Sequence, residues 1–422
     1  MKKIILDFLI AIESILIIWF PFINSGSGRP LCLIGIYIIF IFLLFSKENL
    51  KNFKMDIKKN LFCRSYLLYI IWILICSLGA YITSSHFFFD YKDYNTLIMY
   101  LIYAYSFCVI FKNIGTRNII RKTLLFCAIT LSLYSIYSYF THTNIYTDFF
   151  SFFMNEEVAE GQFRDYTAER GISFRVYGNL NNPVFFSIEL MMLLGFCCYE
   201  YIKNLGNKRY GIFLVFVICF LLISIMFTGS KSGLIPSFAL LILTFYRVLG
   251  LKKILFYATC YFVVFSILMP TISSILDVDL NRFFVALNPF AENVAGSTAG
   301  HRENQFAYLF KFMDDDFLFG NGYGWARHYT NINGIHPILH TFESLVMSSY
   351  VDGGLMGLCF IYPMFMIKNL KASKSYAYRL FCCAYFFTMI VTGIGCFLEF
   401  ILISSYLYID TDNKYIKLLK SK

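Results

Sequence analysis

His340, Glu343 and Ser344 stand three and four residues apart, so a helix would carry all three on one face. An imidazole beside a carboxylate is a general base at neutral pH, which makes His340 and Glu343 the candidate catalytic pair. The plain structural reading of the same residues is a half-buried capping histidine. The second group of interest is cationic. Arg175 sits in R-V-Y-G-N-L-N-N-P, Lys231 in T-G-S-K-S-G and Arg302 in G-H-R-E-N-Q, with Arg170 and Arg327 in the same polar intervals. Arginine forks pair with phosphate oxygens two at a time, so these cations suit a phosphate or diphosphate. Ordinary lipid headgroups, or nearby acids such as Glu169 and Glu303, would satisfy them too.

Three other patterns point away from common cofactors. His336-Pro-Ile-Leu-His340 has the i, i+4 spacing of a metal pair but lacks the glutamate of H-E-x-x-H and holds Pro337 inside. Asp314-Asp315-Asp316 reads as a solvated acidic turn. Gly320-Asn-Gly322-Tyr-Gly324 brings its third glycine one residue too early for a dinucleotide fingerprint, and reads as a turn with positive-φ positions. No metal site and no cofactor is expected.

What must position these groups is membrane helix. The chain is 58% hydrophobic, 20% aromatic and only 15% charged, with a mean hydropathy of +0.63. That excludes a soluble globular protein. Apolar runs of the length a bilayer requires predict twelve spans near 4–23, 31–45, 65–84, 94–111, 123–141, 182–201, 210–228, 233–247, 254–274, 341–366, 380–395 and 396–409. Met1-Lys2-Lys3 leads straight into the first of them without a small-residue cleavage site, so that span is expected to stay uncleaved. The cysteines fall in or beside apolar runs and read as core-filling residues.

With the N-terminus inside, the inner segments hold 26 of the 36 Lys and Arg, the positive-inside bias. The net charge of +10 therefore reports topology and inner-leaflet lipid, and no nucleic-acid partner is expected. Both termini come out cytoplasmic. The ten outer cations are Arg29, Lys92, Arg164, Arg170, Arg175, Lys231, Arg282, Arg302, Lys311 and Arg327; all six histidines, His328 among them, fall on or beside the same face. Two outer loops are long, 142–181 and 275–340, and the rest are short hairpins. The chain reads as one polytopic domain over 1–422. Within the spans, Glu13, Glu189, Asp352 and Glu399 are costly in lipid and either line a path or staple helices together; Asp352-Gly353-Gly354 should also loosen its helix.

Over about 165–365 these pieces resemble the O-antigen polymerase and O-antigen ligase superfamily. R-V-Y-G-N-L-N-N-P resembles its Arg-x-x-G…N-P segment, and T-G-S-K-S-G its Thr-x-Ser-Arg hairpin. H-R-E-N-Q-F followed by D-D-D-F-L-F-G-N-G-Y-G resembles its outer-loop helix and glycine turn, and H-T-F-E-S-L…D-G-G-L-M-G-L the histidine-headed span after it. The resemblance implies an all-α fold of the metal-independent C-type glycosyltransferase class in a bacterial cytoplasmic membrane, its site facing outward. It implies an oligosaccharide on a polyprenyl diphosphate as substrate, Arg175, Lys231 and Arg302 on the diphosphate, and His340 as base. Lys231 stands where the family commonly has arginine, which keeps the charge and loses the fork.

The expected activity is that of a repeat-unit polymerase, with a chain-length regulator as a candidate partner. A ligase delivering glycan to lipid A core shares the chemistry. A lipid-linked oligosaccharide exporter is the reading from another class, but a transporter should show a repeated half and mid-membrane charges, and the polar groups here gather at the outer face.

Overall fold

The computed structural model describes residues 2–21, 31–44, 60–145, 175–180, 182–250, 306–307, 309, 317–328, 344–393 and 396–420. Among them all regular structure is helical: α1 Lys2–Trp19, α2 Leu31–Leu44, α3 Leu61–Thr83, α4 Tyr91–Ile110, α5 Ile114–Thr141, α6 Pro183–Lys203, α7 Lys208–Phe227, α8 Lys231–Leu249, α9 Leu345–Met356, α10 Tyr362–Ala372, α11 Tyr376–Thr392 and α12 Phe397–Lys420. A helix satisfies its own backbone groups, which hydrocarbon demands. Polar side chains close several N-termini, with Asn60, Asp90, Asn182, Asn207, Ser344 and Ser375 each accepting from a backbone N–H of the first turn.

Six stretches are long and apolar enough to cross a membrane: Leu61–Thr83, Ile114–Thr141, Pro183–Lys203, Lys208–Phe227, Lys231–Leu249 and Leu345–Ala372. Three more, Ile34–Leu44, Tyr376–Thr392 and Phe397–Ile409, are apolar but shorter. This is a helical membrane protein. The expected span at 254–274 lies outside the described residues.

The chain divides into two compact units, one of residues 1–127 with 303–422 and the other of 128–302; α5 runs through the division. In the first, α3 packs on α10 and α4, and α12 on α4. Aromatic rings fill the seams: Tyr385 stacks on Phe400 at 4.0 Å and Tyr69 lies 4.7 Å from Phe365. In the second, α6 lies against both α7 and α8. The most apolar stretch of α6 is 83% buried against 33% for that of α7, so α6 is the core helix and α7 turns Ile212, Phe216 and Phe220 outward, as a lipid-facing helix should.

The span from Leu345 to Ala372 is broken. Gly354 has φ 59° and ψ −153° within α9, a π-helical segment Gly357–Ile361 follows, and α10 then begins with Pro363 in its first turn. The Asp-Gly-Gly sequence does interrupt its helix, and what fills the interruption is the glycine turn of residues 317–324.

Candidate functional site

In the first unit the site is a turn seated in a broken helix. Leu355 N donates to Phe317 O at 2.7 Å and Met356 N to Leu318 O at 3.1 Å, while Asn321 N and Gly322 N donate to Val351 O and Asp352 O at 2.9 and 3.0 Å. The turn thus supplies the backbone partners that α9 loses at Gly354. It can approach because it lacks side chains there. Gly320, Gly322 and Gly324 have φ of 70°, 103° and 90°, as expected of positive-φ positions. A Cβ on Gly320 would stand 2.6 Å from Gly354 N, and one on Gly324 would stand 2.1 Å from Asp93 Oδ2.

Side chains lock the same turn. Asp352 accepts from Gly324 N at 3.1 Å through Oδ2 and from Ala326 N at 2.7 Å through Oδ1. Asp352 is therefore a staple, one of the two roles open to it from sequence. Glu13 is another: it accepts from Tyr103 Oη at 3.4 Å and lies over Gly35, where a Cβ would be 1.8 Å from its Oε2. From the 84–93 hairpin, Phe88 N donates to Asn321 O at 2.9 Å, and Ser84 Oγ bonds Asn321 Oδ1 at 3.0 Å.

Arg327 and His328 follow the third glycine and meet the start of α4. Arg327 Nη1 donates to Asp93 Oδ1 at 2.6 Å, and His328 Nε2 lies 3.1 Å from Asp93 Oδ2 and 3.8 Å from Asp90 Oδ2. Asp93 is buried, whereas 61% of the Arg327 side chain is exposed, so water screens its half of the pair. Partial burial, with Tyr362 nearby, pushes the Tyr323 phenol well above its ordinary value, so it is a neutral hydroxyl. A cavity of about 10 Å³ lies between Ser77, Tyr323, Asp352 and Tyr362. That is room for about one water.

In the second unit a different construction holds a cation. Arg175 Nε donates to Thr228 O at 2.8 Å and Val176 N to Phe227 O at 3.1 Å. This lays the R-V-Y-G segment along the end of α7, and Gly229, with φ 60°, leaves room for the Arg175 side chain. Ser230 then caps α8 and Lys231 is its first residue. Asn144 Nδ2 reaches Gly178 O at 2.8 Å and fastens the far side of the segment. Arg175 is thus fastened to the turn that leads into Lys231. Lys231 opens a helix of nineteen residues, whose N-terminus favours negative charge.

Of the candidate catalytic and diphosphate-binding residues, Arg175, Lys231 and Arg327 are described. His340, Glu343, Arg302 and Arg170 lie outside the described residues, as do His301, His336 and the Asp314–Asp316 run. Reading the 84–93 hairpin as a minimal connection missed Asp90 and Asp93. The available signal was two aspartates at N-cap and N3 of a predicted span, opposite an Arg-His pair that follows three glycines.

A scan against models of protein families finds no match for this chain, and no curated protein matches it.

Proposed function

We propose that the chain is a membrane glycosyltransferase that polymerises oligosaccharide repeat units carried on a polyprenyl diphosphate. The observation that carries this reading is the attachment of Arg175 to the Thr228 carbonyl, which sets a guanidinium beside the helix start at Lys231. A half-buried arginine, a lysine and a helix N-terminus at the end of two apolar helices suit a diphosphate whose lipid tail lies in the membrane. The Lys and Arg bias of the sequence supports an outer-face position for that turn, away from nucleotide sugars and ATP, and the family resemblance implies a bacterial cytoplasmic membrane. A donor already activated as a lipid diphosphate meets that constraint.

In this reaction an acceptor sugar hydroxyl attacks the anomeric carbon of the donor, and the cations stabilise the departing diphosphate. Attack from the face opposite the leaving group inverts that carbon. Arg302 joins Arg175 and Lys231 on the diphosphate by the family resemblance, and a chain-length regulator is the natural protein partner.

The test is a gel of surface polysaccharide from a strain lacking the gene. A single repeat unit on its final anchor supports the polymerase. Loss of all anchored glycan, with long chains accumulating on the lipid carrier, would make the protein a ligase. Accumulation of single lipid-linked units on the inner face would make it an exporter.

A further inference from the structure

The break in α9 has a second neighbour besides the glycine turn. Helix α3 packs on α9 and on the π-helical segment that follows it. Where α3, the turn and the broken span meet lies the cavity of about 10 Å³. Its lining is mixed: Ile73 and Cys76 of α3 are its apolar part, while Ser77, Tyr323, Asp352 and Tyr362 bring hydroxyls and a carboxylate.

Ser77 shows what the space is for. A serine inside a helix ordinarily turns its hydroxyl onto a carbonyl of the preceding turn. Ser65 and Thr83 of the same helix do so, donating to Phe62 O at 2.7 Å and to Gly79 O at 3.0 Å. Ser77 does not. It is 7% exposed, and its Oγ makes no hydrogen bond of ordinary geometry within the described residues. Tyr94 Oη, buried in the same condition, lies close enough to interact with it but outside that geometry. Across the cavity lining, each oxygen of Asp352 accepts one backbone N–H, from Gly324 and from Ala326. A carboxylate offers about four acceptor sites, so Asp352 has capacity left.

We propose that one ordered water occupies this cavity, accepting a hydrogen bond from Ser77 Oγ and donating one to the Asp352 carboxylate. The volume is that of a single water, and a buried hydroxyl beside an under-used carboxylate gives it a donor and an acceptor; the phenols of Tyr323 and Tyr362 are the remaining polar groups of the lining. Asp352 is then fastened on two sides, to the glycine turn by backbone amides and to α3 through the water. The seat of the turn extends to a third element by this link. The site stands apart from the polymerase reading, and neither depends on the other. A dry cavity, which Ile73 and Cys76 would favour, makes the opposite predictions.

The experiment uses the full-length protein in detergent and has two readouts. A pulse of X-rays turns bound water into hydroxyl radicals that oxidise adjacent side chains, and mass spectrometry locates the products. Cys76 and Cys63 lie on the same helix and are equally buried, at 2% and 1% exposed, so bulk solvent reaches them alike. Beside a bound water, Cys76 should be oxidised several times faster than Cys63. Ser77→Val replaces the hydroxyl by a methyl and adds a second, at similar helix propensity. It should abolish that excess and melt about 2 °C or more below wild type, because a displaced water leaves its partners unsatisfied. Equal oxidation of the two cysteines in wild type would overturn the proposal. So would a higher melting temperature in Ser77→Val, the mark of a dry cavity filled. A melting temperature that falls when choline replaces sodium and potassium would make the occupant a cation and overturn it as well. Should Ser77→Val fail to purify, the wild-type oxidation ratio decides alone.

Discussion

Two turns at helix ends hold cations in this protein, and they hold them in opposite ways. In the second unit Arg175 is fastened by a neutral carbonyl, that of Thr228. In the first unit Arg327 is fastened by a carboxylate, that of Asp93, which His328 shares. The bond from Nε to a carbonyl fixes the direction of the guanidinium without itself neutralising it, as a contact to an anionic ligand would require. A carboxylate spends the charge on structure, so the Arg327 turn is better fitted to holding an imidazole than to holding a diphosphate. The difference separates an arginine aimed by a backbone carbonyl from one held in an ion pair.

The largest expected effect tests whether the carboxylate-bound turn depends on its glycines. Gly320→Ala would put a Cβ 2.6 Å from the backbone of α9 at a φ of 70°. It should cost on the order of 3 kcal/mol, the scale of a strained backbone with a clash. In detergent the variant should melt well below wild type or fail to purify as a single species. Gly211→Ala, inside α7 with its nearest contact at 3.7 Å, should be neutral or stabilising by up to about 1 kcal/mol. Equal melting of the two variants would mean that the turn is not seated in the break of α9.

On the other turn, Arg175→Ala should remove one or more charge-assisted bonds to phosphate, each worth about 1.5–3 kcal/mol. Chain growth on the lipid-linked repeat unit should slow by roughly 10- to 150-fold for a single lost bond. Arg175→Lys keeps the charge and loses the fork, so it should recover only part of the rate. Full recovery by lysine would mean that the carbonyl does not set the direction of a fork.

Asp352→Asn compares the two means of fastening directly. The asparagine would still accept one backbone N–H, but its amide nitrogen would face the other as a second donor. About 1–2 kcal/mol of stability should go, read as a lower melting temperature, with the Arg175 turn unaffected. An unchanged melting temperature would make Asp352 dispensable as a staple.

The helices were legible in the sequence because hydrocarbon imposes one dominant requirement, length of apolar run, and that requirement is local. The limits moved by a few residues where caps decide them: Asn60 starts α3 four residues before the expected span, and Asp90 starts α4 three before. That Arg175 reaches the turn before Lys231 was partly legible, because both motifs flank apolar runs at the same predicted face. The Asp93–His328–Arg327 cluster was not. It joins residues 234 and 235 positions apart, and what brings them together is a turn that replaces broken helix bonds, an arrangement with no periodic signature. Only its ingredients were visible: three glycines with alternate spacing and an Asp-Gly-Gly in a span.

The smallest effect distinguishes the two uses of arginine most sharply. Arg327 was grouped with Arg175 as a diphosphate-binding cation from sequence, and the two make different predictions now that their partners are known. With 61% of its side chain exposed, Arg327 contributes no more than about 0–1 kcal/mol to stability through its ion pair. Arg327→Gln should therefore leave the melting temperature nearly where it was. It should also leave affinity for the lipid-linked substrate unchanged, since its cation is already committed to Asp93. What it should alter is the fastening of the turn: without the bond to Oδ1, Asp93 keeps only the His328 contact to this segment, and backbone amides of residues 325–328 should exchange hydrogen faster. A rise in the KM for lipid-linked substrate, with amide exchange of the turn unchanged, would return Arg327 to the diphosphate and erase the distinction between the two turns.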